Sequence, residues 1–328
     1  MPTEKCRSGE AECADMSALG EPERHRMPVT LAVFTKNRVN PAYAAARLAA
    51  DRVAAEAGAR TMHYVPETPD DVGQQKVLVG EALAAGPDAV VFVPTDDSAM
   101  VEDVRRFEAA GIPVVNCINR MVGRFLSFVG SDDVAVGYTA ARALIDGLGG
   151  KGDIVVIEGS PGAPTARDRI VGLRRALDES PAIKVLGSGT GAFQEQPARL
   201  VMARLLAQHA QIDGVWTGND LMAFGALDAL ADSGRRAQVV GINGLPGAIE
   251  RIEQGTMLAS VDFSAFNIAA IAARAALRHL RGEPVPAQIM VPAVLIDRTN
   301  FTAWQVPFTA RPLMAWEDVA GGCNVTDK

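Results

Sequence analysis

Apolar positions along this chain alternate between two patterns: short unbroken runs, and longer Ala-rich stretches in which they return every third or fourth residue. The first example is Val29 to Tyr43, VTLAVFTKNRVNPAY, where an apolar run ends in a polar turn containing Asn-Pro and an amphipathic stretch follows. Such a run followed by 3.6-residue spacing predicts a β-strand, a loop and an α-helix. Ligands of open α/β sheets bind beyond the carboxyl ends of the strands, so Lys36, Asn37, Arg38, Asn40 and Tyr43 are candidate contacts on position alone.

The same beat continues down the chain. Thr61–Val65 and Ala89–Pro94 read as strands, each preceded by an Ala-rich helical stretch, and Pro113–Ile118 and Ser127–Gly130 extend the series. A helix is expected over Asp133–Leu148, up to the GGKG break at Gly149–Gly152, after which a second series begins. Its strands are Asp153–Gly159, Lys184–Gly187, Gly214–Thr217 and Gln238–Ile242, with helices near Ala166–Leu177, Pro197–His209, Leu221–Ser233 and Pro246–Gln254. Strands alternating with helices require crossovers above a parallel sheet covered on both faces. The expected fold class is therefore α/β, with two doubly wound parallel-sheet lobes and a cleft between them.

After Leu258–Phe263 only a helix over Phe266–Arg281 and a last strand near Ile289–Ile296 remain. That is too little for a third lobe, and these pieces are expected to cross back into the existing sheets, making a multi-strand hinge. The expected division is an N-terminal lobe of 29–131 plus 264–292 and a C-terminal lobe of 132–263 plus 293–310. Residues 1–28 read as a disordered extension, mixing both charge signs without a sustained apolar segment. Beyond Asn300, Trp304, Phe308, Trp316 and several prolines show no clear periodicity, and the structure of 311–328 is left open.

Composition narrows the function classes. A chain of 328 residues with 48% hydrophobic and 22% charged residues describes a globular protein of two ordinary domains. A net charge of -7 without a clustered basic face argues against a nucleic-acid surface. No apolar run reaches the length of a transmembrane helix. Cys6, Cys13, Cys117 and Cys323 are scattered without close metal-ligand spacing, so neither a metal site nor a structural disulfide is expected, and Cys117 in PVVNCI reads as a small core hydrophobe. GSGTGA at Gly187–Ala192 contains GxGxG but lies deep in the second series without the acidic residue that a dinucleotide site places about twenty positions on. No P-loop, GxSxG or HExxH is present, and His25, His63, His209 and His279 accompany no nucleophile pattern. The chain is expected not to be an enzyme and to need no cofactor.

Seven short motifs in order, NPAY, VPTDDSA, INR, FVGSDD, PTARDRIVGL, TGNDLMAFGAL and VGING, resemble the type I periplasmic sugar-binding proteins, most of all the ribose-binding group. The resemblance runs from about Val29 to Ile296 and implies a solute-binding protein whose lobes close by a hinge on one polyhydroxylated ligand. It implies a sugar-like ligand, a membrane permease of an ABC importer as partner, a monomer, and a periplasmic location. Residues 1–28 show no signal peptide and would leave the protein cytoplasmic if Met1 is the true start, and they are too short and polar for the helix-turn-helix of regulator relatives. A sensor of the same fold, reporting its ligand to a signalling partner without its own DNA-binding domain, is the alternative.

Carried over position by position, the resemblance implies ligand contacts at Asn40, Tyr43, Asn119, Arg120, Arg169, Phe193, Asn219, Asn243 and Phe263. It also departs from the family pattern: Ala42 replaces an aromatic, Asn119 and Asn243 replace carboxylates, Phe263 replaces a glutamine and Val93 an asparagine. Losing two carboxylates beside Arg120 and Arg169, with Lys36 and Arg38 in reach if they point inward, favours an acidic ligand such as a sugar acid. A neutral sugar or sugar alcohol is expected instead if Asp132, Asp133 or Asp262 rebalances the charge. Each residue also has a plain reading: solvated charges for Lys36 and Arg38, core packing for Tyr43, Phe193 and Phe263, a surface pair with Asp168 for Arg169, and turns or caps for Asn219 and Asn243.

Overall fold

The computed structural model describes residues 28–320; nearly all of the expected extension, together with Cys6, Cys13 and Cys323, lies outside the described residues. The first series forms β1 (Thr30–Phe34), α1 (Pro41–Glu56), β2 (Arg60–Tyr64), α2 (Val72–Ala85), β3 (Ala89–Phe92), α3 (Val101–Ala109), β4 (Val114–Cys117) and β5 (Ser127–Gly130). The second forms α4 (Asp133–Gly147), β6 (Gly152–Glu158), α5 (Pro164–Asp178), β7 (Ile183–Thr190), α6 (Glu195–Gln208), β8 (Gly214–Thr217), α7 (Asp220–Asp232), β9 (Gln238–Ile242), α8 (Pro246–Gln254) and β10 (Ala259–Asp262). The sheets share one plan, β2-β1-β3-β4-β5 and β7-β6-β8-β9-β10, with parallel pairing throughout both series. This is the two-lobed α/β architecture that the strand and helix spacing predicts.

Central strands read as unbroken apolar runs because both faces are covered. In β1 every residue of TLAVF is buried. On one side of the first sheet Phe34 stacks on Tyr64, with ring centroids 4.8 Å apart, and meets Phe92 and Phe107. On the other side α1 and α9 (Ala265–Leu280) press their alanines onto the strands, close approach being possible because the contact residues are small.

The chain passes between the sheets three times: after β5, after β10, and between β11 (Gln288–Met290), which pairs with β5, and β12 (Val294–Ile296), which pairs antiparallel with β10. The single last strand expected over 289–296 is thus two strands in two sheets. Pro292 between them has no N–H to continue a ladder, and an apolar run alone does not reveal that break. Likewise Gly187–Thr190 of GSGTGA is the extended second half of β7, paired with Val155–Glu158, and not a phosphate turn. Glycine weakens the strand signal there, which shortens the sequence reading of β7 to Lys184–Gly187.

The tail beyond Asn300 is structured where described. A 3-10 turn, Phe301–Trp304, lies against α8 of the second lobe, and Trp304 Nε1 donates to Asp262 Oδ2 at 2.8 Å. The chain then crosses to the first lobe. Arg52 on α1 donates to the carbonyls of Phe308 and Arg311, Phe308 packs on Phe266 of α9 at 5.6 Å, and Trp316 is buried beneath Arg278. The segment is a strap over both lobes.

Two close approaches invite direct tests. A Cβ on Gly137 of α4 would collide with the backbone of Arg169 on α5, and one on Gly172 with Val134 and Tyr138, so the α4–α5 crossing requires both glycines. Gly137→Ala is expected to lower unfolding free energy by roughly 1–3 kcal/mol, read from urea melts, since overpacking a rigid contact forces backbone shifts. Trp304→Phe leaves the buried Asp262 carboxylate one donor short and is expected to cost about 1–3 kcal/mol in the same assay; an unchanged melt would show that the strap is not anchored there.

Candidate functional site

Between the lobes, at the carboxyl ends of the strands, lies a small cavity of about 40 Å³ as traced by the centres of water-sized spheres. Adding a water radius around a compact shape of that size gives roughly 180 Å³ of physical space, room for one monosaccharide-sized molecule. The lobes meet around it: Arg167 Nη2 on α5 reaches Asp97 Oδ2 of the first lobe at 2.7 Å.

The first lobe contributes the β1–α1 loop. Asn40 caps α1, its Oδ1 accepting from Ala42 N at 3.0 Å, with Pro41 at the first helical position where no N–H is needed. That cap aims Asn40 and Tyr43 at the cavity. Lys36 is buried at 3% exposure, and burial pulls its pKa below the ordinary lysine value, Asp70 opposing from 3.9 Å. Burial pushes the Tyr43 hydroxyl well above its usual range. Beyond β4 a tight turn presents Asn119, with Ile118 in a left-handed conformation at φ 63°. Asn116 fixes that turn, donating to the carbonyls of Phe92 and Asn119 and accepting from Met121 N.

The second lobe contributes the segments that follow its five parallel strands. Arg169, on the first turns of α5, is buried; its Nε donates to Asp133 Oδ1 at 2.8 Å, its Nη1 to the Gly218 carbonyl at 2.8 Å, and its guanidinium lies 5.1 Å from the Phe263 ring centroid. Burial raises the Asp133 pKa, and Arg169 pulls it back. Ala192 and Phe193 both take left-handed backbone, at φ 51° and 60°, so that Phe193 folds over Gly159, where any Cβ would strike its ring. Asn219 caps α7 through Met222 N and ties Phe193 in place by donating to its carbonyl at 3.1 Å. Asn243 sits at φ 135°, a conformation rare for a residue with a side chain.

Lys36, Asn40, Tyr43, Asn119, Arg169, Phe193, Asn219, Asn243 and Phe263 therefore line one cavity. Arg120 and Arg38 do not. Arg120 donates to Gln288 Oε1 at 2.7 Å and stacks 4.1 Å over Phe128, a better place for a guanidinium than a cavity already holding two cations. Arg38 is exposed in the loop. Asn37, Asp70, Thr165 and Gln194 also line the cavity. Asn37 had a signal in its strand-end loop; Asp70 follows β2 and had none.

These placements correct the charge argument. Arg120 is outside, Arg169 is paired with Asp133, and Lys36 faces Asp70, so no surplus cation remains. Asp132 is spent capping α4 through Ala135 N, and Asp262 on Trp304 and Ser264 N. Two amide atoms, Asn119 Nδ2 and Asn243 Oδ1, are buried without a protein partner, one donor and one acceptor from opposite lobes. Cys117 packs in the core, its thiol pKa pushed up by burial.

A model of the periplasmic binding protein domain matches residues 31–284. The chain belongs to the periplasmic binding protein family. Among curated relatives it is similar to the ribose import binding protein RbsB of Bacillus subtilis, 31% identical over 269 residues covering 81% of this chain and 86% of that protein. It is also similar to the xylitol-binding protein of Mycolicibacterium smegmatis, 32% identical over 58% of this chain and 55% of that one. Among solved structures, a solute-binding protein of Actinobacillus succinogenes with bound D-allose superposes with a TM-score of 0.80 at 28% identity, over 84% of this chain and 99% of that one. One from Mycobacterium smegmatis with bound glycerol gives 0.79 at 29% identity, over 84% and 96%. No helix among the described residues is long and apolar enough to cross a membrane.

Behind Asn219 and Asn243 this binding protein carries Asp220, fully buried, its Oδ2 accepting from Leu245 N at 2.8 Å and its Oδ1 from Ser260 Oγ at 2.7 Å. Burial raises its pKa to about 7, against those donors. Because the folded state then holds a proton that the unfolded chain releases near pH 4, this group's contribution to stability falls as pH rises from about 4 to 7. Asp220→Asn is expected to remove that decline, flattening the melting temperature between pH 5 and 8; a slope identical to the unaltered protein's would assign the titration elsewhere.

Proposed function

We propose that the protein captures one small, neutral, polyhydroxylated molecule, a sugar or sugar alcohol, between its lobes in the periplasm and delivers it to the membrane permease of an ABC importer. The observation that carries this reading is the charge balance at the cavity: Asp70 in the lining faces Lys36, Asp133 outside the lining pairs with Arg169, and the other polar lining groups are amides and the hydroxyls of Tyr43 and Thr165, beside aromatic faces. An anionic ligand would meet no unpaired cation there, whereas hydroxyls, which both donate and accept, suit amides and ion pairs. Phe193, Phe263 and Tyr43 offer apolar faces to the C–H side of such a ligand. The similar proteins described above, two named for ribose and xylitol and two solved with D-allose and glycerol bound, support the same ligand class.

Asn40, Asn119, Asn219 and Asn243 supply amides to the ligand, Arg169 and Lys36 donate to its oxygens, and hinge closure brings the two sets together. A thermal-shift screen of sugars, sugar alcohols and sugar acids tests this, since a ligand selective for the folded state raises the melting temperature. A neutral polyol is expected to give the largest shift. A dominant shift from a sugar acid would refute neutrality. Arg169→Ala is expected to weaken binding of that polyol by tenfold or more, about 1.5–3 kcal/mol for a charge-assisted contact, measured by calorimetry.

A further inference from the structure

Asp70 is the one carboxylate among the cavity-lining residues. It sits in the β2–α2 loop, outside every motif that the sequence singles out, and its surroundings are built. Its backbone is left-handed at φ 60°, tolerable for aspartate but not free of cost, and is pinned by its own N–H donating to the Lys36 carbonyl at 3.1 Å. Its Oδ1 accepts from Asn37 Nδ2 at 2.9 Å, while Asn37 Oδ1 accepts from Asn40 N at 3.0 Å, so the carboxylate is oriented by the same loop that presents Asn40. Among the described residues no protein donor reaches Oδ2. Lys36 Nζ lies 3.9 Å from Oδ1, beyond hydrogen-bond length, and is buried with no acceptor of its own within reach among the described residues.

The site thus holds a strong acceptor and a strong donor side by side, each incompletely used. Amide N–H groups are plentiful around the cavity, whereas Asp70 is the one ionised acceptor among its lining residues. A hydroxyl that accepts from one of those donors still needs somewhere to place its own proton.

Resting on the reading of a neutral polyol ligand, we propose that Asp70 is a specificity-determining residue of the site: its Oδ2 accepts from one ligand hydroxyl while Lys36 Nζ donates to the oxygen of the neighbouring one. The pair selects two adjacent hydroxyl groups and turns away a carboxylate, which would face Asp70 across the cavity. Asn37 is the positioning residue that holds the acceptor in line.

The test is Asp70→Asn, because asparagine tolerates the left-handed backbone and keeps an oxygen for Asn37. Unliganded melting confirms the fold, and Asp70→Gly, which also suits that backbone, serves as the second variant. Calorimetry with glycerol, xylitol, D-ribose and D-allose, each monodeoxy form of the tightest of them, and D-ribonate gives the readout. The unaltered protein is expected to lose about ten- to a hundredfold affinity when the hydroxyl read by Asp70 is removed from the ligand, and Asp70→Asn to lose a similar factor for the parent polyol. With Asp70→Asn the deoxy form should bind within about threefold of its parent, because the interaction is already gone. The preference for D-ribonate relative to D-ribose should rise in the variant, since Lys36 loses its counter-charge. Equal affinity of variant and parent protein overturns the proposal, as does a loss that no monodeoxy ligand shares. Failure of the unaltered protein to bind any of the four neutral probes overturns the polyol reading itself, which separates the two.

Discussion

The buried contact between Arg169 and Asp133 constrains more of this protein than any other interaction. Two charges removed from water are costly unless they pair closely and fill their remaining hydrogen bonds. Here the guanidinium satisfies Asp133 and the Gly218 carbonyl at once, and its face rests on Phe263. To bring these groups together α4 and α5 must cross with backbones almost touching, which is why Gly137 and Gly172 stand at the crossing. The same pair ties the end of β8 to the first helix of the lobe, and it removes from the cavity the positive charge that a free arginine would impose. The α4–α5 packing and the link from α4 to the end of β8 depend on one ion pair.

Both lobes repeat the strand order, yet they hold their charges differently. In the second lobe the cation is locked against protein partners. In the first, Lys36 and Asp70 stand apart, and the lysine carries the cost of burial with little direct compensation. The second lobe therefore offers a rigid floor, and the first a loop whose polar groups complete their bonding on a ligand. The strap from Phe301 to Trp316 spans the same two bodies from outside, a further passage of the chain beyond the three between the sheets, held to each lobe by hydrogen bonds.

Much of the fold was legible because parallel-sheet strands must be apolar on both faces, and runs such as AVVFVP admit few other readings. Boundaries failed where that physics is weak: the glycines of β7 carry no side chain to bury, and the run over 289–296 hides the Pro292 break. Motif order placed most of the cavity lining, since strand ends in this topology converge whatever the side chains. What it missed depends on rotamers and neighbours. Arg120 follows β4 directly behind Asn119, yet Gln288, more than 160 residues later, turns it outward. Asp70 was invisible because nothing local marks the residue after Pro69 as facing inward. Counting charges along the chain therefore left an acidic and a neutral ligand both open, and of the carboxylates weighed there Asp133 is the one that pairs with Arg169.

The unpartnered amides explain why closure and binding are one event. Asn119 Nδ2 on the first lobe and Asn243 Oδ1 on the second are buried without protein partners, and leaving such groups dry costs on the order of 1–3 kcal/mol each. Both residues line the cavity, from opposite lobes, so one molecule enclosed there can reach both atoms. In the proposed complex a polyol supplies an acceptor to Asn119 and a donor to Asn243, two contacts that need both lobes together. The left-handed backbone at Ile118 and at Asn243 holds both amides toward the gap. Strain and unsatisfied polarity are thereby placed on the two surfaces that the proposed ligand joins, so that the molecule enclosed between the lobes satisfies groups that the protein alone leaves unpaired.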